Sequence, residues 1–234
     1  MNWFSPPLIA SLLWLACGYA HSQTLNWGSQ VFDDLVDSSG ESLNDTFVFE
    51  IGSFTNDFVP DESNVSQWHA NWRVFDRAID YNEYSGPEDD IWGYYTSSAR
   101  MRDDGTSTGN QATSGFSFSG LEGYLWVRNS NDPSPTTEWF LARSTQWTFQ
   151  TATPGCCDNE LPDSWSLSDL SNENATPVFG SQGTLTGGGY SQLPGNHTMQ
   201  TFTFVPEPSS ALLSATGLAF LILRRRRSNE SPSK

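Results

Sequence analysis

Thr46–Phe54 reads T-F-V-F-E-I-G-S-F, and this run decides the class of fold. Phe47, Phe49 and Ile51 recur at every second position and the run meets Gly52, which predicts a β-strand with one buried face. The flanking chain extends the pattern. Ser114–Arg128 (SGFSFSGLEGYLWVR) predicts a hairpin with a glycine-rich turn at Gly120–Gly123, and Glu138–Gln150 (EWFLARSTQWTFQ) predicts two short strands separated by a polar turn. Between them Asn129–Pro135 (NSNDPSP) has the composition of a loop. One segment breaks the alternation. From Asn64 or Ser66 as N-cap to about Asn82, Trp68, Trp72, Phe75 and Ile79 recur at spacings of four, three and four, which predicts an amphipathic helix lying across a sheet with these side chains in the core. The expected architecture is therefore mainly β, a single sandwich or jelly-roll-like domain with one packed helix.

Composition agrees with that expectation. Ten Trp, fifteen Phe and seven Tyr supply the core, because each aromatic ring buries more apolar area than an aliphatic side chain. Charge is lopsided. Residues 21–206 hold six Arg, no Lys and 25 Asp plus Glu, while five of the eleven basic residues occupy the last eleven positions. A body this acidic is repelled by nucleic acid and by anionic lipid, which argues against both as partners; divalent cations and neutral polysaccharide are more compatible with it.

Candidate chemistry is sparse. Beyond His21, beside a processing site, the body has His69 and His197, with no H-E-x-x-H and no Cys or His cluster at metal spacing, so zinc hydrolysis is disfavoured. Gly115–Gly120 (GFSFSG) misses G-x-S-x-G and its alternating Phe reads as strand. The absence of Lys before Lys234 excludes a P-loop and a lysine nucleophile, and Gly187–Gly189 reads as a turn. Glu88-Asp89-Asp90 and Asp103-Asp104-Gly105 cluster oxygens in loops without the D-x-[DN]-x-[DN]-G order of a calcium loop; they read as solvated acidic loops, with calcium the alternative and no other cofactor expected. Trp126, Trp139, Trp147 and Trp165 are the rings that would stack on sugars if exposed, and a glycosidase carboxylate pair cannot be located from spacing. Cys156 and Cys157 are either a vicinal or intermolecular disulfide or plain thiols in a loop.

Both ends carry addressing signals. Residues 8–17 (LIASLLWLAC) form a short apolar run followed by Gly18, Ala20 and Ser22, the grammar of a secretory signal with cleavage after Ala20 or Ser22, although its first residues MNWFSPP contain no Lys or Arg. At the other end Val205-Pro206-Glu207-Pro208 precedes the apolar run 209–223 (SSALLSATGLAFLIL) and then Arg224, Arg225, Arg226 and Arg227. Fifteen helical residues span about 22 Å, so a transmembrane helix here needs its serines at one interface and its arginines snorkelling at the other. The arginines stay cytoplasmic by the positive-inside rule and place the body outside.

These residues together resemble the PEP-CTERM sorting signal of Gram-negative bacteria. The resemblance implies that a membrane-embedded exosortase recognises Pro206, Glu207 and Pro208, cuts near them, and passes the body to the cell surface or an exopolysaccharide (biofilm) matrix. Pro on both sides of Glu207 fixes an extended backbone that an enzyme can take up, and the plain alternative is a single-pass anchor. The expected organisation is a signal peptide at 1–22, an exported β-rich domain at 23–204 and a sorting tail at 205–234. The expected role is non-enzymatic, structural or adhesive; a carbohydrate-binding module is the alternative and a polysaccharide-active enzyme a more distant one.

Overall fold

A computed structural model of the protein describes residues 23–30, 33–55, 58–78, 80–81, 95–151, 163–169, 177–182 and 198–204. In chain order its strands are β1 (Gln23–Gly28), β2 (Asp34–Val36), β3 (Val48–Phe54), β4 (Trp72–Arg77), β5 (Asp80–Tyr81), β6 (Tyr95–Met101), β7 (Tyr124–Arg128), β8 (Glu138–Ala142), β9 (Asp163–Ser166), β10 (Ser181–Gln182), β11 (Thr198–Gln200) and β12 (Phe202–Thr203). Between β3 and β4 lie a 3-10 segment, Glu62–Gln67, and the single-turn helix α1, Trp68–Asn71. The protein is mainly β, and its packed sheets are consistent with a β-sandwich.

A five-stranded antiparallel sheet, ordered β12-β8-β7-β3-β4, is the middle layer. On one face Phe49, Ile51, Phe75, Leu125, Val127, Phe140 and Ala142 meet Leu25, Trp27, Tyr95, Met101 and Trp165 of a four-stranded sheet ordered β5-β6-β1-β9. Phe49 stacks on Tyr95 at 4.3 Å between ring centroids. The Trp27 indole N–H donates to Asp76 at 2.7 Å across the same interface. On the opposite face Phe54, Trp72, Tyr124, Trp126, Trp139 and Leu141 form a second core roofed by Val65 and Trp68. Trp68 stacks on Trp139 at 5.6 Å and meets Trp126 edge-on at 6.1 Å. A three-stranded sheet, ordered β10-β11-β2, completes the described fold.

Because the middle sheet is covered on both sides, the single buried face expected of Thr46–Phe54 is corrected. Phe49 through Phe54 are all buried, so the period-2 pattern distinguishes two cores rather than core from solvent. β7 is buried at every residue for the same reason.

The expected helix from Asn64 or Ser66 is also corrected. Asp61 is the N-cap, accepting from the Ser63 N–H at 2.7 Å while Asn64 accepts from the Asp61 N–H, and the helical geometry ends at Asn71. Trp72, Val74 and Phe75 favour extended backbone, and pairing with β3 satisfies that backbone at an otherwise open sheet edge. Trp68, Trp72 and Phe75 are buried as expected, but Trp72 and Phe75 lie three residues apart on a strand, so its alternation sends Trp72 into one core and Phe75 into the other. Ile79 and Asn82 lie outside the described residues.

Of the hairpin expected at Ser114–Arg128 only Tyr124–Arg128 is a strand. The Phe116–Phe118 alternation, read as strand, is an irregular segment in which the Phe118 N–H donates to the Gly105 carbonyl and the Gly120 N–H to the Phe149 carbonyl. Glu138–Gln150 contributes β8, a turn and then an isolated bridge, Thr148 to Glu122, in place of a second strand. Asn129–Pro135 lies between β7 and β8, outside any strand. Among the described residues no helix is long and apolar enough to cross a membrane, and the candidate span 209–223 lies outside them.

The two cores predict a ranking of tryptophan substitutions. Trp68→Ala removes the roof of the second core and lowers unfolding free energy by about 3–5 kcal/mol. Trp72→Phe deprives buried Glu50 of an indole donor, a loss of about 1.5–3 kcal/mol. Trp126→Phe costs less than Trp72→Phe, because the Trp126 N–H is buried without an acceptor. Urea unfolding of the three variants checks the order.

Candidate functional site

The described chain ends in a strap, Thr198–Phe204, that is built into two sheets at once. β11 runs parallel to β2, with Thr198, Met199 and Gln200 opposite Asp34, Leu35 and Val36, and all three strap residues are fully buried. The Gln200 side-chain amide donates to the Asp37 carbonyl at 3.1 Å, and the Thr201 N–H donates to the Val36 carbonyl at 3.0 Å. The chain then crosses to the middle sheet, where β12 pairs with β8 as Phe202 with Trp139 and Thr203 with Glu138. The Phe204 N–H closes the strap on the Thr137 carbonyl at 3.1 Å, and its ring joins the edge of the second core.

Glu138 organises this crossing. Its carboxylate accepts from the Thr201 hydroxyl at 2.8 Å, from the Ser38 N–H at 3.2 Å and from the Ser38 hydroxyl. Further along β8, Leu141 exchanges backbone hydrogen bonds with Phe179. Gly180 follows with φ +90, where a Cβ would stand 2.7 Å from the Gln200 carbonyl oxygen, so only glycine lets this segment lie against the strap.

A second polar constellation lies inside the middle sheet. Glu50 on β3 is fully buried and accepts from the Trp72 indole at 2.8 Å, from Arg77 at 2.7 and 2.5 Å, and from Arg128 at 2.7 Å. Burial pulls the Arg128 guanidinium below its ordinary value and the adjacent Glu50 carboxylate opposes that shift. Arg128 also lies 4.1 Å over the Trp126 ring and donates to Asn131 at 2.7 Å. This cluster is cross-strand structure: each of its bonds joins β3, β4, β7 or the loop after β7.

The four rings offered for sugar stacking are not surface platforms. Trp126 and Trp139 are fully buried, and Trp147 and Trp165 are 3% and 6% exposed. Trp147 and Trp165 stack on each other at 5.4 Å, and the Trp147 N–H donates to Asp169 at 3.1 Å beside a polar cleft of about 160 Å³ lined by Gln146, Asp163 and Ser164. The Asp103-Asp104-Gly105 oxygens serve a turn: the Asp104 carboxylate accepts from the Thr106 N–H and hydroxyl, which hold it below its ordinary carboxyl value. Among the described residues no group of three metal-ligating side chains occurs. His69 lies exposed on α1.

Glu88–Asp90, Cys156, Cys157, Gly187–Gly189 and His197 lie outside the described residues. So do the signal-cleavage candidates Ala20 and Ser22, the Val205-Pro206-Glu207-Pro208 motif, and Arg224, Arg225, Arg226 and Arg227. Gln23, one residue after Ser22, opens β1.

Residues 204–227 match the family model described as the PEP-CTERM protein-sorting motif. The chain carries a PEP-CTERM sorting motif. Phe204 is thus both the first residue of the PEP-CTERM match and, among the described residues, the last one bonded into the sheet. No curated protein and no solved structure matches the chain. The sorting residues were legible as a motif; the strap that precedes them was not, because Glu138 meets Thr201 and Ser38 only through contacts 63 and 100 residues apart in the chain.

Two outcomes follow for the polar groups. Glu50→Gln leaves Arg128 buried without its counter-charge and lowers stability by about 3–5 kcal/mol, whereas Glu122→Gln at the exposed Arg143 pair changes it by about 1 kcal/mol or less, as denaturant unfolding would show. Burial pushes Tyr124 up to about 12 from 10.0 and raises Tyr95 well above that ordinary value. The unfolded chain ionises both near pH 10 while the fold keeps them neutral. The Tyr124 contribution is therefore whole below pH 10 and is lost as pH rises through about 12, and Tyr124→Phe flattens part of that loss in pH-dependent unfolding.

Proposed function

We propose that this is an exported protein whose tail is cut by an exosortase, after which the body serves a non-enzymatic, structural or adhesive role at the cell surface or in an exopolysaccharide matrix. The observation that carries the sorting reading is the PEP-CTERM match at 204–227, beginning where the strap ends. In the accompanying topology the signal segment brings the N-terminus across the membrane, the apolar run 209–223 spans it, and the arginines after it remain behind. Support for a structural role comes from how the described carboxylates are used. Glu50, Asp76, Glu138 and Asp169 are all engaged in bonds that hold strands or loops together. The many aromatic rings are likewise committed to packing, which suits a body selected for a durable shape.

The test is intact mass and membrane fractionation of the protein from its native host, wild type beside Glu207→Ala. The expected wild-type product lacks the first 20 to 22 residues and the arginine tail, while the variant keeps its tail and stays in the membrane fraction. A wild-type protein that retains residues 209–234 in the membrane would identify a permanent single-pass anchor instead.

A further inference from the structure

The polar cleft beside Trp147 and Trp165 lies where the bridge segment at Thr148 meets β9 and the turn after it. Its floor is fixed by packing. The two indoles stack at 5.4 Å with 10° between their planes, and a Cβ at Gly123 would stand 2.4 Å from the Trp165 ring, so a side chain there would displace it. Each of the two carboxylates is anchored through one oxygen. Asp169 accepts through Oδ2 from the Trp147 N–H at 3.1 Å and from the Ser166 N–H at 2.8 Å, and Asp163 accepts through Oδ2 from the side-chain amides of Gln23 and Gln150. The other oxygen of each takes no hydrogen bond among the described residues, and neither do the side chains of Gln146, Thr148 and Ser164. Five hydrogen-bonding side chains therefore line one cavity with bonding capacity to spare.

We propose that this cleft binds one unit of a neutral polysaccharide. Its volume of about 160 Å³ is many times the roughly 10–15 Å³ that one water needs. No Arg, Lys or His lines it, which turns away phosphate, sulfate and uronate groups. Five of its seven lining residues are polar, which does not suit an apolar ligand. A divalent cation takes six or more oxygen ligands, and among the described residues no group of three metal-ligating side chains occurs. Sugar hydroxyls match the set, since each can donate to a carboxylate oxygen and accept from an amide or hydroxyl. The indoles face each other and act as a floor rather than as stacking platforms. Because floor and carboxylates are held before any ligand arrives, little ordering opposes binding. The inference supplies the ligand class for the adhesive role proposed above; it rests on that half of the reading and not on sorting.

The test is affinity electrophoresis of the purified full-length chain, in a polyoxyethylene detergent, through gels cast with dextran, a β-glucan, a galactomannan or, as the anionic comparison, alginate. At least one neutral polymer should retard the wild type, alginate should not, and the retardation should persist in EDTA. The double variant Gln146→Ala/Ser164→Ala removes two exposed side chains that bond nothing else among the described residues. It should weaken the apparent Kd roughly tenfold with an unchanged urea midpoint. Retardation that the double variant leaves undiminished would overturn the cleft while adhesion through another surface stood. Retardation lost in EDTA would overturn direct recognition in favour of a bridging cation, and retardation by alginate alone would overturn the neutral ligand class. No retardation by any neutral polymer would overturn both the cleft and adhesion to neutral polysaccharide. Tail processing is read separately, by Glu207→Ala, and fails or stands without changing these outcomes.

Discussion

The Glu50 carboxylate is the constraint around which the middle sheet is arranged. A carboxylate withdrawn from water is tolerated only where donors surround it, and Glu50 gathers them from Trp72 and Arg77 on β4 and from Arg128 on β7. Two of the six arginines in the body meet at this one side chain. Their convergence fixes the order β7-β3-β4, and with it the placement of the aromatic rings on either face. Trp72 is held by its N–H, Trp126 lies beneath the Arg128 guanidinium, and Trp68 and Trp139 stack beside Trp126.

How legible this was depends on whether a signal is local. The strand at 46–54, the strand at the end of 114–128 and the one opening 138–150 were readable because alternation is a property of a few neighbouring residues. The second buried face was not, since Glu50 and Gly52 look solvent-facing until the second core covers their side of the strand. At Trp68-Trp72-Phe75 the helical spacing was real but insufficient. Extended backbone at the sheet edge, whose alternation puts Trp72 and Phe75 into separate cores, meets the same demand for burial. The tail was the most legible part of all. Its information lies in contiguous chemistry rather than in long-range contacts, and the PEP-CTERM match coincides with it. The four tryptophans considered for sugar contact illustrate the converse, because composition alone does not distinguish a ring on the surface from one in a core.

Body and tail are joined without a spacer, and this unites two otherwise separate descriptions of the molecule. The strap is structural by virtue of Glu138, Thr201 and the β2 pairing, yet it continues directly into the sorting motif.

The two parallel pairings have a further consequence for how the chain acquires its shape. Leu25 on β1 lies beside Asp163, and Asp34 on β2 lies beside Thr198, so the earliest strands are completed by nearly the last ones. Such a topology has high contact order and gains little from partial chains. For a polypeptide threading through a membrane pore from its N-terminus, the emerged portion lacks its closing partners until almost all of it has crossed. For such a chain passage precedes folding by construction, because closure waits for Asp163–Ser166 and Thr198–Gln200.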